Sequence, residues 1–173
     1  ENQQFNEGIG LFKKATELDP SSYKAYYFLG WCQQAQGDLS SAKESYKSAI
    51  RIIDLQKVRY GWPFTDLGEL LITEGEYESG LGWHYRAIRN DPQFPYGRYK
   101  YASALMKEGS SPEVEQHLQV AIKFDPGYTE AYYLLGRYYQ GIGEMEKAKE
   151  AFAKFQELRK NPQVSPYGVR RER

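Results

Sequence analysis

Apolar side chains recur every three or four residues along most of the chain, and polar residues fill the positions between them. This spacing places the apolar side chains on one face of an α-helix, and the alternating Val or Ile pattern of strands is absent. Residues 23–36 show the pattern clearly, since one helix face carries Tyr26, Leu29, Gly30 and Gln33. The pattern predicts an all-α fold.

Two columns of small residues repeat along the chain with one period. The first column is Ala15, Ala49, Ala87 and Ala121, and the second is Gly37, Gly75, Gly109 and Gly143. Successive members are about 34 residues apart in both columns, with one step about four residues longer in the same region. Such a period is typical of helical-repeat proteins, in which similar units stack and each packs against its neighbours.

The predicted helix ends repeat as well. Each glycine of the second column follows a predicted first helix, and glycine readily adopts the left-handed conformation that closes a helix. Ser111 and Pro112 fit the start of a second helix, because a serine hydroxyl caps free amides and proline suits the first turn. Second helices are predicted to end at Asp-Pro pairs, since proline disfavours helix in the residue before it. These pairs are Asp19-Pro20, Asp91-Pro92 and Asp125-Pro126.

Two further positions of each unit carry small residues in most units. The eighth place holds Gly30, Gly68, Ala102 and Gly136, and the twentieth holds Gly8, Ala42, Gly80, Val114 and Ala148. Small side chains at these places allow two helix backbones to approach closely. With these columns, nearly the whole chain resembles the tetratricopeptide repeat (TPR) family. Its units are residues 23–56, 61–94, 95–128 and 129–162, after a partial unit at 1–22 that holds only a second helix.

The resemblance implies a right-handed superhelical solenoid of antiparallel helix pairs, with about nine helices in a single domain over residues 1–162. Residues 57–60 are an insertion, and no helix breaker lies between Ser40 and Gly61. We therefore expect the second helix there to be about one turn longer than its counterparts. Residues 163–173 are predicted to be a flexible basic tail.

Both ends of the predicted solenoid lack a closing helix. The opening unit has no first helix, and Pro162 and Pro166 disfavour a polar closing helix at the other end. We expect Phe152 and Phe155 to be partly exposed as a result. Because the chain starts at Glu1 within a unit, flanking sequence of a longer polypeptide would cover these faces; the alternative is that they mediate self-association.

The charge balance disfavours polyanionic partners. Lys and Arg number 23, as do Asp and Glu, so no net field draws the chain toward nucleic acid or an anionic membrane. The longest apolar run is far short of the roughly 20 residues that a membrane helix needs, so we expect a soluble protein without membrane insertion. No targeting signal is present in this segment, and the sequence does not indicate a compartment.

The residues that most often carry catalysis are few. His84 and His117 are too far apart for a helical metal pair, and Cys32 is the single cysteine, so we expect no metal site, no cofactor and no enzyme activity. His84 stands where the repeat usually has a packing aromatic, which favours a core role. Cys32 is predicted to be a buried thiol.

Aromatic residues are more informative, because the chain has 16 Tyr and 3 Trp. The resemblance implies that the second, fifth, sixth, ninth and twelfth places of the first helices line a concave groove, and Phe28 is one such residue. The predicted binding residues are Tyr27, Trp31, Trp62, Thr65, Glu69, Tyr96, Tyr99, Lys100, Ser103, Tyr133 and Arg137. Rigid rings with a polar tip suit the binding of a peptide. The alternative is that the tyrosines are ordinary packing residues.

Three functions fit these features. The first is a non-enzymatic protein-interaction module or scaffold that binds a peptide segment of a partner in the aromatic groove. The second is glycan or small-ligand recognition, since tyrosine and tryptophan stack on sugar rings. The third is a structural oligomer scaffold. Chaperone-binding TPR proteins clamp a carboxylate with lysine, asparagine and arginine at five places, and that clamp is absent here. Counted from residue 23, the places hold Tyr27, Trp31, Asp66, Tyr96 and Lys100.

Overall fold

The computed structural model describes residues 2–109 and 111–162. In these two stretches the chain forms nine α-helices and no strand. The helices are α1 Asn2–Leu18, α2 Tyr23–Ala35, α3 Leu39–Gln56, α4 Trp62–Thr73, α5 Tyr77–Asn90, α6 Pro95–Glu108, α7 Pro112–Phe124, α8 Thr129–Gly141 and α9 Met145–Lys160. None of these described helices combines the length and the apolar character that crossing a membrane requires. The all-α prediction is confirmed.

The helices fall into two compact units, which divide between Asp91 and Pro92. In the first unit, α1 packs on α2, α2 pairs with α3, and α4 pairs with α5. The core of this unit is built around fully buried Tyr46, Ile53 and Leu67. Short turns join the paired helices, so consecutive helices run antiparallel.

The second unit repeats this arrangement with α6 paired with α7 and α8 paired with α9. Ala102, Val114, Leu118 and Ala131 are fully buried in its core. Val114 is larger than the residue that usually occupies its place in the family, yet it has no exposed surface. Half-buried Phe152 packs against the same core, and Phe155 is also half-buried, as expected.

Helix ends follow the sequence signals. A positive φ, between 82° and 147°, is found within two residues of the end of each first helix, at Gly37, Gly75, Gly109 and Gly143. The Ser111 hydroxyl accepts a hydrogen bond from the Glu113 amide at the start of α7. The predicted helix stops at the glycines and the predicted serine cap are therefore confirmed.

The insertion at residues 57–60 forms a connection rather than helix. α3 has 18 residues, about one turn more than α5 with 14 and α7 with 13. α1 has 17 and α9 has 16, so the expected extra turn is present only relative to α5 and α7. Lys57 then ends α3 with a left-handed φ of 54°. Asn90 holds the connection to α5, because its amide donates to the Val58 carbonyl and its oxygen accepts from the Tyr60 amide.

Glycine allows close helix contact within both units. A Cβ on Gly68 would lie 2.8 Å from the Gly80 carbonyl oxygen, and one on Gly80 would lie 2.6 Å from the Gly68 carbonyl oxygen. In the second unit, a Cβ on Gly136 would lie 2.7 Å from a ring carbon of Phe152. α4 and α5 therefore meet backbone to backbone, whereas at Gly136 a large side chain fills the space.

The described helices do not test three predictions: the flexible tail, the single solenoid domain and the self-association. The predicted flexible tail, residues 163–173, lies outside the described residues. A single solenoid domain over residues 1–162 and self-association through its ends both remain predictions. Cys32 and His84 are buried, as the sequence predicts.

Candidate functional site: aromatic patches on the two units

The first unit exposes two aromatic side chains on one face of α2. Phe28 and Trp31 are three residues apart, and each is 37% exposed. Two rings of α1 support them: Phe12 stacks on Phe28 with centroids 5.5 Å apart, and Phe5 meets Trp31 edge-on at 5.7 Å. These four residues form the first aromatic patch. Stacked and edge-to-face contacts at such distances are the preferred arrangements of aromatic pairs.

Tyr27 lies beside this patch but belongs to the core. Only 4% of its surface is exposed, and its ring contacts Tyr46 and Tyr60 with centroids 6.0 and 5.4 Å away. Its burial follows from helix geometry, because residue 27 faces α3 while Phe28 is rotated toward solvent. The expectation that Tyr27 faces an open groove is therefore wrong.

The predicted residues of α4 are mostly turned inward. Thr65 has no exposed surface, and its hydroxyl donates to the Gly61 carbonyl at 3.2 Å, so its predicted place in an open groove is wrong. Trp62 is half-buried and packs against the core of the first unit. Glu69 is half-buried and contacts His84 of α5. Of these residues, Trp62 and Glu69 retain surface that a partner could contact.

A second aromatic patch lies on the second unit, where Tyr133 of α8 is 42% exposed. Its ring contacts Phe152 and Phe155 of α9 with centroids 5.9 and 5.2 Å away. Arg137, one turn along α8, places Nη1 3.5 Å from the Tyr133 hydroxyl, and the Arg159 guanidinium lies 5.6 Å from the Phe155 ring centre. These five residues combine apolar rings with two cations.

The predicted residues of α6 form a separate cluster of the second unit. The Lys100 ammonium lies 5.4 Å from the Tyr96 ring centre and 5.9 Å from that of Tyr99. The Tyr99 ring meets Tyr128 at 5.3 Å. A lysine at these distances from two aromatic faces is in cation–π range. Each of these residues, including Tyr128 before α8, is half-buried and so partly open to a ligand, as is Ser103 of α6.

His117 is held by its neighbours in a structural role. An Arg98 N–H donates to Nδ1 at 3.2 Å, and the ring meets Tyr101 edge-on at 4.9 Å. Burial and the Arg98 charge lower the pKa of His117. Burial likewise raises the pKa of the Cys32 thiol. In the described part of the chain, no three His, Cys, Asp or Glu side chains are grouped so that they could hold a metal ion.

Sequence reasoning missed the contribution of α1. Phe5 and Phe12 are seven residues apart, which places both on one face of the helix, and this signal was available. The repeat frame assigned Phe12 only to packing, and α1 belonged to an incomplete unit. The structure shows that both rings extend the face formed by Phe28 and Trp31.

Comparison with known families agrees with the helix pairs and close contacts described above. Two tetratricopeptide repeat models match residues 1–53 and residues 129–162, together half of the chain. The chain belongs to the tetratricopeptide repeat family. This TPR membership and the helix pairs together make the fold an all-α helical-repeat solenoid.

Solved structures share this TPR fold. The chain aligns with MamA at a TM-score of 0.72 and 23% identity, covering 90% of this chain and 89% of MamA. Pseudomonas aeruginosa PilF aligns at a TM-score of 0.76 and 16% identity, covering 90% of this chain and 69% of PilF. YrrB, described as a TPR protein with an unusual peptide-binding site, aligns at a TM-score of 0.66 and 24% identity. The alignment covers 92% of this chain and 80% of YrrB. At these identities the likeness establishes the fold alone.

Two curated relatives are much longer than this TPR chain. Arabidopsis thaliana TPR repeat-containing thioredoxin TTL4 is 29% identical over 103 residues, which are 60% of this chain and 14% of that protein. Human protein O-mannosyl-transferase TMTC1 is 28% identical over 137 residues, 79% of this chain and 15% of that protein. The chain thus spans about a seventh of each relative. The TPR fold supports a protein-interaction scaffold, and its expected partners are proteins or peptides.

Proposed function

We propose that this TPR chain is a non-enzymatic interaction module in which the first aromatic patch binds a peptide segment of another protein. The observation that supports the proposal most strongly is the pair of 37% exposed rings, Phe28 and Trp31, held from behind by Phe12 and Phe5. The TPR fold supports the protein-interaction role, and the exposed rings of the patch support the first unit as its proposed location.

The patch has the physical properties of a binding hot spot. Phe28 and Trp31 lie on a helix rather than a loop, and each has a ring partner on α1, so little side-chain freedom is lost on binding. When an aromatic ring is buried at the centre of an interface, its replacement by alanine often costs roughly 2 kcal/mol or more of binding free energy. We therefore expect an apolar side chain of the partner to lie across these rings.

The second aromatic patch is proposed to bind a peptide in the same way, with a different preference. Tyr133 offers an exposed ring, while Arg137 and Arg159 supply positive charge beside Tyr133 and Phe155. A guanidinium recognises a carboxylate through two parallel hydrogen bonds. This patch would therefore favour an apolar residue followed closely by an acidic one. Tyr96, Tyr99, Lys100 and Ser103 remain proposed binding residues on α6.

The neighbours of the two histidines support a non-enzymatic role. His84 is fully buried, and His117 packs against Tyr101 and accepts a hydrogen bond from Arg98. Burial closes the His84 ring to an incoming substrate, and the Arg98 hydrogen bond occupies Nδ1 of His117. The mannosyl transfer in the name of TMTC1 is attributed to that longer protein, of which the match covers 15%.

The test starts with peptide-display selection on the purified chain, followed by titration calorimetry of the selected peptides. We expect Phe28→Ala and Trp31→Ala each to weaken binding about tenfold or more. Tyr85→Ala is the matched control, because Tyr85 is a 50% exposed aromatic on α5 outside the patch. Equal affinity of the wild type and both patch variants would refute the proposal. Saturable binding on a glycan array with no selected peptide would instead favour sugar recognition.

A further inference from the structure

A second candidate site of the first unit lies away from the aromatic patch, in an open cleft between the second helices α3 and α5. The cleft has a volume of about 400 Å³. Half-buried Trp83 gives it apolar surface, to which Ile50, only 3% exposed, adds little. Its size falls within the roughly 300–1,000 Å³ typical of ligand pockets. None of its lining residues belongs to the first aromatic patch.

Charged side chains surround this apolar surface, with three cations against two carboxylates. Both carboxylates already have a cation: Lys47 lies 2.8 Å from Glu44, and Arg86 lies 3.0 Å from Asp54. Arg51 is different. Its guanidinium donates to the Ser48 hydroxyl at 3.0 Å and is in ion-pair contact with no described residue, although its charge helps to lower the pKa of Glu44. The cleft therefore carries one positive charge in excess, at Arg51.

Arg86 is held in position by aromatic faces. Its guanidinium lies 4.2 Å from the Trp83 ring centre and 5.4 Å from that of Phe64, while it bridges to Asp54. A guanidinium has five N–H donors, so one ion pair leaves donors available. Cation–π contacts fix its plane before a ligand arrives, which lowers the entropy lost on binding.

We propose that the cleft between α3 and α5 binds an acidic peptide segment of a partner protein. A carboxylate of the segment pairs with the Arg51 guanidinium, and a neighbouring apolar side chain lies against the exposed part of Trp83. Charge complementarity selects the acid, since the excess charge is positive and the two protein carboxylates are already paired. The apolar surface of Trp83 favours a peptide over inorganic phosphate, which would leave that surface without contact.

Three tryptophans make this site separable from the aromatic patch in one experiment. The indole N–H signals of Trp31, Trp62 and Trp83 are assigned by Trp→Phe variants and followed by NMR in the ¹⁵N-labelled chain. The probes are the blocked peptides EEFEE, KKFKK and EEGEE. At about 1 mM peptide, a complex with a Kd of that order is half formed. We expect EEFEE to shift the Trp83 signal, KKFKK to leave it in place, and EEGEE to bind more weakly.

A matched pair of variants tests the role of Arg51. Arg51→Gln removes the proposed partner of the carboxylate, and Arg89→Gln makes the same change at an exposed position of α5 outside the cleft. Because Arg51 is exposed, we expect Arg51→Gln to weaken EEFEE binding roughly two- to fivefold, with little change for Arg89→Gln. Equal losses in both variants, or no Trp83 shift with EEFEE, would overturn the proposal. A shift of Trp83 without one of Trp31 would support this cleft whatever the outcome for the first aromatic patch.

Discussion

The imidazole of His84 on α5 and the carboxylate of Glu69 on α4 are joined by a 3.1 Å contact between Nε2 and Oε1. His84 has no exposed surface, and its Nδ1 has no hydrogen-bond partner in the described part of the chain. That nitrogen faces the place where a Cβ on Gly68 would lie, 2.9 Å away. The ring therefore fills the space of a packing aromatic, and only one of its two nitrogens is satisfied.

Replacing His84 tests whether the ring acts mainly through packing. His84→Phe keeps the ring, removes the unsatisfied nitrogen and loses the contact with Glu69, so we expect little net change in the free energy of unfolding. His84→Ala leaves a cavity and should be about 2 kcal/mol less stable than the Phe variant. Urea unfolding of the three proteins gives the comparison. A Phe variant as unstable as the Ala variant would show that the Glu69 contact matters more than packing.

Glycine-to-alanine changes separate close helix contact from helix propensity. Gly68→Ala should destabilise the first unit by roughly 1–3 kcal/mol, because the new Cβ would meet the Gly80 carbonyl oxygen at 2.8 Å. Gly82→Ala on α5 is the control, since nothing lies within 4 Å of its Cβ position. We expect that control to stabilise by about 0.5–1 kcal/mol through helix propensity. Opposite signs in thermal or urea unfolding would confirm the contact, and a stabilised Gly68→Ala would contradict it.

Most of the fold could be predicted from the sequence, since the 3–4 residue apolar period and the helix-ending glycines are local signals. Gly37 and Gly143 show this: each has the positive φ that its position in the pattern predicted. The connection after α3 was harder to predict, because Lys57 takes a left-handed conformation although it is not a glycine. Asn90 also hydrogen-bonds Val58 and Tyr60 in this connection, and such contacts between residues about 30 positions apart leave no local signal in the sequence.

Tyr139 gives a stability dependence at high pH. Its hydroxyl donates to Glu115 at 2.7 Å, and burial together with that carboxylate raises the pKa of Tyr139 to about 12. The folded state then holds the proton more tightly than the unfolded state, whose tyrosine pKa is about 10. The resulting stability is complete below pH 10 and is lost as the pH rises toward 12.

The matching experiment is urea unfolding of the wild type and Tyr139→Phe at pH 8 and pH 11. We expect the advantage of the wild type over the variant to shrink by about 1 kcal/mol between these pH values. Phenolate absorbance gives an independent check, because the wild type minus the variant isolates one of the 16 tyrosines. An advantage that is constant or grows with pH would contradict the assigned environment of Tyr139.

His117 gives the opposite dependence at mildly acidic pH. Burial and the charge of Arg98 lower its pKa from the usual 6.5, so the folded state binds the proton less tightly than the unfolded state. The contribution to stability is present above pH 6.5 and is lost as the pH falls through the folded pKa. NMR titration of the ring proton should give a midpoint below 6.5, and Arg98→Gln should raise that midpoint. A wild-type midpoint at or above 6.5 would contradict this environment.

The candidate site was less predictable than the fold, because exposure depends on which side of a helix the neighbours cover. Tyr27 and Phe28 are adjacent groove positions in the repeat pattern, yet α3 covers the first and leaves the second 37% exposed. Thr65 is likewise buried. The exposed face of Trp31 was expected, whereas its contact with Phe5 depends on α1, for which the repeat frame assigned only a packing role.

Photo-crosslinking at position 28 is the most direct test of peptide binding at the first aromatic patch. Phe28 is replaced by p-benzoylphenylalanine, a display-selected peptide is added and irradiated, and mass spectrometry locates the crosslink; replacement of Tyr85 is the control. We expect a crosslink from position 28 that excess unlabelled peptide abolishes, with none from position 85. A peptide that binds the chain but crosslinks only from position 85, or equally from both, would contradict it.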